Sequence, residues 1–396
     1  MPPKRSNNGA SKANASQKST RKILITAGEG QTGRLIIELL AMDDDYNNKY
    51  AELTALVFSE EAKATLQEYD TVKTVVFDPK HEEALVKAMS EVDTCLLIPP
   101  ARKDKAKITR TLLEAAKKAK TVQNLVLLSS AGADYAERDK QPRLREFIDL
   151  EALAMQPKGD PATGDTGHSP CVIRAGFYAE NLLLYSKQAQ SEGKLPLPIG
   201  KNHKFAPIAL GDVAQIAAYV VTSEGPHGLA DHVRSQVIVA TGPQLTAGPE
   251  LAVAASQALG TKMEFESIDE VMAKKILNSE QGEEVDEAER EYLLEYYSLV
   301  REGKTNYTAT TAMLAFFGHR GQEPTEFFQT YSAEFKPKKR RTTKHAGSEG
   351  AQPSAATRSS GRGKATKGGD DADVEMEVGD EGATVEKGRR TITKGL

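Results

Sequence analysis

Six short apolar runs, most of them separated by helix-like stretches, dominate the first 175 residues of this 396-residue chain. They are "KILITA" (22–27), "LTALVF" (53–58), "KTVVFD" (73–78), "DTCLLIPP" (93–100), "NLVLLSS" (124–130) and "CVIRA" (171–175). Continuous runs of Val, Ile and Leu at that length suit strands buried on both faces, the condition of a parallel sheet. Helical patterns lie between them at 32–42, 81–90, 105–119 and 143–156. In the third, Ile108, Leu112, Leu113 and Ala116 fall on one face. Strict alternation of this kind predicts a doubly wound parallel α/β sheet.

Beyond residue 175 the alternation loosens. Helices are expected near 178–192, 211–221, 249–259, 269–278 and 286–302, and strands at 235–242 and 262–268. Asp212 is placed to cap the second of these helices. Tyr292, Tyr296 and Val300 share a face of the last, and Gly303 supplies its stop. Residues 176–335 thus read as a smaller, mostly helical part for a substrate or partner. Its aromatic cluster (Tyr292, Tyr296, Tyr297, Phe316, Phe317, Phe327, Phe328) reads as packing, with a substrate lid as the alternative. The Gly/Pro-rich stretch 156–170 reads as a surface loop at the sheet edge away from any ligand, which sets His168 aside.

Composition changes at both ends. Residues 1–21 and 336–396 are too polar to pack and read as disordered tails flanking a folded body, 22–335. The net charge of −4 hides a division. Residues 1–22 carry six Lys/Arg and no acid, and 336–396 carry fourteen Lys/Arg against nine Asp/Glu, so the segment between holds −15. Such a body repels a phosphate backbone, and any nucleic-acid contact belongs to the tails, without sequence preference. Two cysteines, Cys95 and Cys171, sit in apolar strand-like runs and read as reduced thiols. With no signal peptide and no membrane-length apolar run, the expectation is a soluble intracellular protein.

The first strand breaks into Gly28, Gly30 and Gly33, a G-x-G-x-x-G pattern that opens directly into a helix through Gln31 and Thr32. In a Rossmann-type sheet such a loop brings backbone N–H groups against a dinucleotide's diphosphate. Glu29 inside the loop opposes a phosphate, and Arg34 is placed to offset it. At the end of strand two stand Phe58, Ser59, Glu60 and Glu61, with no Arg or Lys. An acid there suits a ribose 2′-hydroxyl and repels a 2′-phosphate, so of NAD and NADP the residues favour NAD.

The glycine loop, "FDP" (77–79), "LLSSAGAD" (127–134), "VIRAGFYAEN" (172–181) and "LGDVAQIAA" (210–218), in this order, resemble the NmrA-like family of atypical short-chain dehydrogenase/reductases over about 22–335. The basic low-complexity tail resembles that of a fungal-type member. The family's loop reads G-x-x-G-x-x-G, and its first glycine falls on Ala27 here. The resemblance implies an NAD(P)-binding part, 22–175, with Asp78 near the adenine, Pro99 beside the cofactor, and Phe177 and Asn181 at the substrate side. It further implies either a cofactor-sensing regulator bound to a transcription-related protein, or a reductase of a quinone-like or other small electron-poor substrate.

Short-chain dehydrogenases use Tyr-x-x-x-Lys on a helix, the Lys lowering the tyrosine pKa. The corresponding positions here are Arg143 and Phe147, so the dyad is absent. Polar groups still converge after the last strands: Ser129 toward the cofactor, Ser130 and Asp134 toward a substrate or partner, and Tyr135 and Tyr178 as candidate proton donors. No metal site is proposed, because no His cluster has ligand spacing. The missing dyad and the loop acid favour the redox-sensing regulator, with the oxidoreductase as the alternative. Lys336, Lys338, Lys339, Arg340 and Arg341 form a basic cluster resembling a nuclear-import signal, which predicts a protein of nucleus and cytoplasm. The acidic block 370–386 is placed to fold back on the basic stretch or to bind basic partners.

Overall fold

The strands are β1 (Lys22–Ile25), β2 (Glu52–Val57), β3 (Val72–Val76), β4 (Thr94–Leu97), β5 (Asn124–Ser130), β6 (Ser169–Ala175), β7 (Lys194–Leu197), β8 (Lys204–Phe205), β9 (Val237–Ala240), β10 (Thr246–Ala247) and β11 (Glu264–Ser267). Around them pack α1 (Gln31–Met42), α2 (Glu60–Leu66), α3 (Glu82–Met89), α4 (Lys105–Lys118), α5 (Pro142–Ala154), α6 (Ser186–Glu192), α7 (Leu210–Thr222), α8 (Gly248–Leu259), α9 (Glu270–Leu277), α10 (Glu287–Arg301), α11 (Thr311–Phe317), α12 (Pro324–Thr330) and α13 (Ser332–Phe335). This computed structural model describes residues 19–66, 68–78, 81–156, 169–283 and 285–337. His168, the basic cluster beyond Pro337 and the acidic block fall outside them.

Seven strands form one parallel sheet in the order β3-β2-β1-β4-β5-β6-β9. The predicted doubly wound sheet is therefore present, with β9 added at its far edge. Burial on both faces explains the unbroken apolar runs: Ile23, Leu24 and Ile25 are fully buried, and so is every residue of β5. Ile23, Leu53 and Ile173 belong to the core that also holds Ile36 and Ile37 of α1 and Val213 and Ile216 of α7. Leu24, Leu97 and Leu127 belong to the core of α3, α4 and α5. Cys95 and Cys171 lie on opposite faces, and burial pushes both thiols up to about 12. They are unbridged and stay protonated.

Strand order reverses between β1 and β4, which opens a crevice outside their C-terminal ends. The side chain of Thr26 ties the two ends together, accepting from the Ile98 N–H at 2.8 Å and donating to its carbonyl at 3.2 Å. No helix among the described residues is long and apolar enough to cross a membrane.

The second part is built on its own core, in which Phe177, Phe205, Phe327, Phe328 and Phe335 are buried together. Two small sheets, parallel β7–β11 and antiparallel β8–β10, accompany its helices. Three expectations need correction. The helix near 178–192 is a 3-10 helix, Ala179–Tyr185, followed by the short α6. Asp212 does not cap α7; Ala209 holds that position, and the Asp212 carboxylate accepts from the Gln322 N–H at 2.8 Å. The stretch after β2 is helical from Glu60, although it lacks an apolar period.

Candidate functional site: the crevice at the ends of β1, β4, β5 and β6

Where β1 leaves the sheet, Ala27 takes φ +50°, the left-handed conformation that glycine adopts most easily. This is the position where a first family glycine was expected. The Gly28 N–H then donates to the Leu56 carbonyl and the Gly30 N–H to that of Ala27. At Gly33 a Cβ would stand 2.2 Å from the Ala27 oxygen, so only glycine lets α1 approach the loop this closely. Gly30 is the N-cap of α1, and neither a side-chain cap nor a first-turn acid serves that end. The N–H groups of Gln31, Thr32 and Gly33 are left for a ligand, and an anion is what they suit.

Glu29 does not face this end. Its Oε1 accepts from the Phe58 N–H at 3.1 Å, at the tip of β2, and its Oε2 is buried with no partner. Burial raises its pKa, while backbone N–H groups and Arg102 pull it down. Arg34 does not offset it; that guanidinium pairs with Glu68 at 2.5 Å. Glu60 follows soon after β2. It is exposed on the first turn of α2, 3.5 Å from Lys63, and Ser59 accepts from the Ala62 N–H. Phe58 stacks edge-on against Phe77 at 5.4 Å, with Arg102 5.5 Å from its ring centre. Asp78 lies beyond Phe77 and meets the His81 ring at 2.7 Å. Pro99 is half-buried just after β4.

At the end of β5 the two serines diverge. Ser130 Oγ meets the Tyr292 hydroxyl of α10 at 2.9 Å. Ser129 is turned the other way: it donates to Glu151 at 2.5 Å, and Glu151 also accepts from Arg174 at 2.7 and 2.9 Å. Its hydroxyl serves that buried network. Arg174 reaches on to Asp134 at 3.0 Å. Asp134, Arg174, Tyr135 and Tyr307 line a cavity of about 120 Å³. Burial and the Asp134 charge push Tyr307 up to about 12.

Arg143 and Phe147 occupy the dyad positions on α5, and their surroundings are informative. Arg143 turns outward to Glu291 at 3.0 Å. Above Phe147 sits the buried ammonium of Lys105, 4.1 Å from the ring centre and 5.8 Å from that of Tyr292, donating to the Arg143 carbonyl at 3.0 Å. Burial lowers the Lys105 pKa, and Glu146 and Glu289 oppose that. Burial, reinforced by Glu289, holds the Tyr292 hydroxyl well above its ordinary value. Tyr178 interacts with Thr32 of the glycine loop and feels Glu289 in turn, which links the start of α1 to α10. Phe177, expected at the substrate side, is instead buried against Phe205, Tyr296 and Tyr297. Asn181 lies half-buried on the 3-10 helix just past Tyr178.

Lys105 and Tyr292 escaped the sequence reading as site residues. Lys105 did leave a signal: it lies three and seven residues before Ile108 and Leu112, on the apolar stripe of α4. Among the described residues no three His, Cys, Asp or Glu are grouped to hold a metal.

Sheet order and the open helix end at a glycine loop define a Rossmann-type NAD(P)-binding fold. The chain belongs to the NmrA-like family, whose model matches residues 19–313. It is 26% identical over 255 residues to an NAD(P)H azoreductase of Xenophilus azovorans, covering 64% of this chain and 80% of that protein. In fold it is similar to an NADPH-dependent quinone oxidoreductase of Escherichia coli solved with NADPH (TM-score 0.62, 22% identity, 78% of this chain and 99% of that one). It is likewise similar to the negative transcriptional regulator NmrA in complex with NADP (TM-score 0.58, 13% identity, 78% and 95%).

Proposed function

We propose that this chain is an NAD(P)H-dependent reductase of a small, flat, electron-poor acceptor, quinone-like or azo-like. The observation that carries the reading is the Ser130–Tyr292 hydrogen bond, 2.9 Å long, at the C-terminal end of β5. Reduced nicotinamide supplies hydride to such an acceptor. The chain's own residues hold the diphosphate at the N–H groups of Gln31, Thr32 and Gly33 and orient a hydroxyl at the end of β5, while the proton of the reduction comes from water. Tyr292 keeps its proton because burial and Glu289 disfavour its anion. It therefore acts as a fixed hydrogen-bond partner that orients the Ser130 hydroxyl, while Lys105 lies over the Phe147 and Tyr292 rings from behind. The azoreductase relative supports this reading.

The test is direct. Full-length protein is titrated with the four nicotinamide nucleotides and assayed for NADH and NADPH oxidation against a quinone and azo-dye panel. Turnover at ordinary enzyme rates is expected. Tyr292→Phe is expected to lower kcat on the order of tenfold or more, with nucleotide Kd unchanged.

A second reading, a nucleus-capable cofactor sensor docking on a transcription-related partner, is favoured by Arg143 and Phe147 standing in place of the dyad. Tight nucleotide binding with no turnover on any acceptor would favour it over the reductase. The import-like cluster supports nuclear entry in either case. If a Lys338/Lys339/Arg340/Arg341→Ala variant stays fully nuclear, that role of the cluster is wrong.

A further inference from the structure

We infer that Glu29 reads the 2′-position of the adenosine ribose and makes this chain select NAD(H) over NADP(H), an inference that rests on the dinucleotide reading above. In sheets of this type the ribose is read at the end of strand two, by an acid for a 2′-hydroxyl and by an arginine for a 2′-phosphate. The residues of that strand end are otherwise engaged here. Ser59 caps α2, and Glu60 and Glu61 lie on its exposed first turn. The carboxylate arrives instead from the glycine loop.

Its geometry is fixed from one side only. Oε1 is held by the Phe58 N–H at the tip of β2, and a carboxylate oxygen with one donor has a lone pair left for a second. A ribose diol brings an O–H to fill it. A 2′-phosphate brings instead close to two negative charges and no equivalent donor. Arg102 is the cation beside this carboxylate, and its Nε lies 3.3 Å from Asp104 Oδ1. The Arg102 charge is thus shared between the Glu29 and Asp104 carboxylates and is not free for a phosphate.

The experiment is calorimetric titration of the full-length chain with NADH and with NADPH, in wild type, Glu29→Gln and Arg102→Ala. Wild type is expected to bind NADH at least about tenfold more tightly than NADPH. Glu29→Gln keeps the acceptor for the Phe58 N–H and removes the charge, and is expected to bring the two affinities together, chiefly by tightening NADPH. Arg102→Ala is expected to widen the preference for NADH. Equal or tighter NADPH binding in wild type, or an unchanged ratio in Glu29→Gln, overturns the role of Glu29 while leaving the crevice intact. Failure of wild type to bind either nucleotide at millimolar concentration overturns the crevice reading itself.

Discussion

Ala27 shows how one residue carries the tension between fold and sequence. Its φ of +50° is the conformation in which an L-residue's Cβ crowds the following carbonyl, at a cost of about 1–2 kcal/mol. The chain accepts that cost because the loop must deliver Gly28 to the Leu56 carbonyl and Gly30 to the start of α1. Ala27→Gly relieves the crowding and returns part of the gain as extra freedom in the unfolded chain. The expected net effect is a stabilisation of up to about 1 kcal/mol, read from urea denaturation, with nucleotide binding retained. Gly33 behaves oppositely. Alanine there drives a methyl into the Ala27 oxygen, and loss of nucleotide binding is expected together with destabilisation.

At the scale of elements, α10 organises the mouth of the crevice. It brings Tyr292 to Ser130, and it serves α5 as well. Glu295 accepts from the N–H groups of Arg143 at 3.2 Å and Leu144 at 2.9 Å, so a carboxylate of one helix caps the start of another whose own N-cap, Gln141, makes no cap bond. Glu295→Ala leaves those donors without it, and a loss of about 1–2 kcal/mol in denaturant-measured stability is expected. Glu295→Gln keeps an acceptor for only one of the two N–H groups and sets its NH2 against the other, so it should recover only part of the loss. These contacts also mark what the sequence could reveal. The seven-strand sheet and the glycine loop were legible because each strand announces its own burial and Gly30 and Gly33 sit directly at a strand-to-helix turn. The Ser130–Tyr292 bond spans 162 positions, and nothing local to either residue encodes it. Glu29 was visible as an acid in a phosphate loop, yet its turn toward Phe58 depends on the end of β2. α2 stayed hidden because Ser59, Glu60 and Glu61 support a helix start through capping and charge, without an apolar period.

For the molecule as a whole, the C-terminal helices are fastened to the body through carboxylates that are poorly solvated. Glu180 accepts from the Leu210 N–H at 2.9 Å and from the Tyr331 hydroxyl at 3.3 Å, and Asp212 receives the Gln322 N–H. Burial pushes the Glu180 carboxyl up to about 7, and raises Asp212 as well. A carboxyl with a folded pKa above its unfolded value binds its proton more tightly in the folded state. Stability from this group is therefore full below about pH 4.5, falls as pH rises toward 7, and is flat above that. The span corresponds to a contribution on the order of 3 kcal/mol between those limits. Glu180→Gln keeps an acceptor oxygen for the Leu210 N–H, presents its NH2 to the Tyr331 hydroxyl oxygen, which can accept, and cannot ionise. Unfolding free energies measured in urea from pH 5 to pH 8 are expected to decline in the wild type and to decline much less in the variant. The variant should be the more stable of the two at pH 8, and the difference should shrink as pH falls toward 5. Parallel profiles for the two proteins would show that Glu180 titrates alike in the folded and unfolded chain.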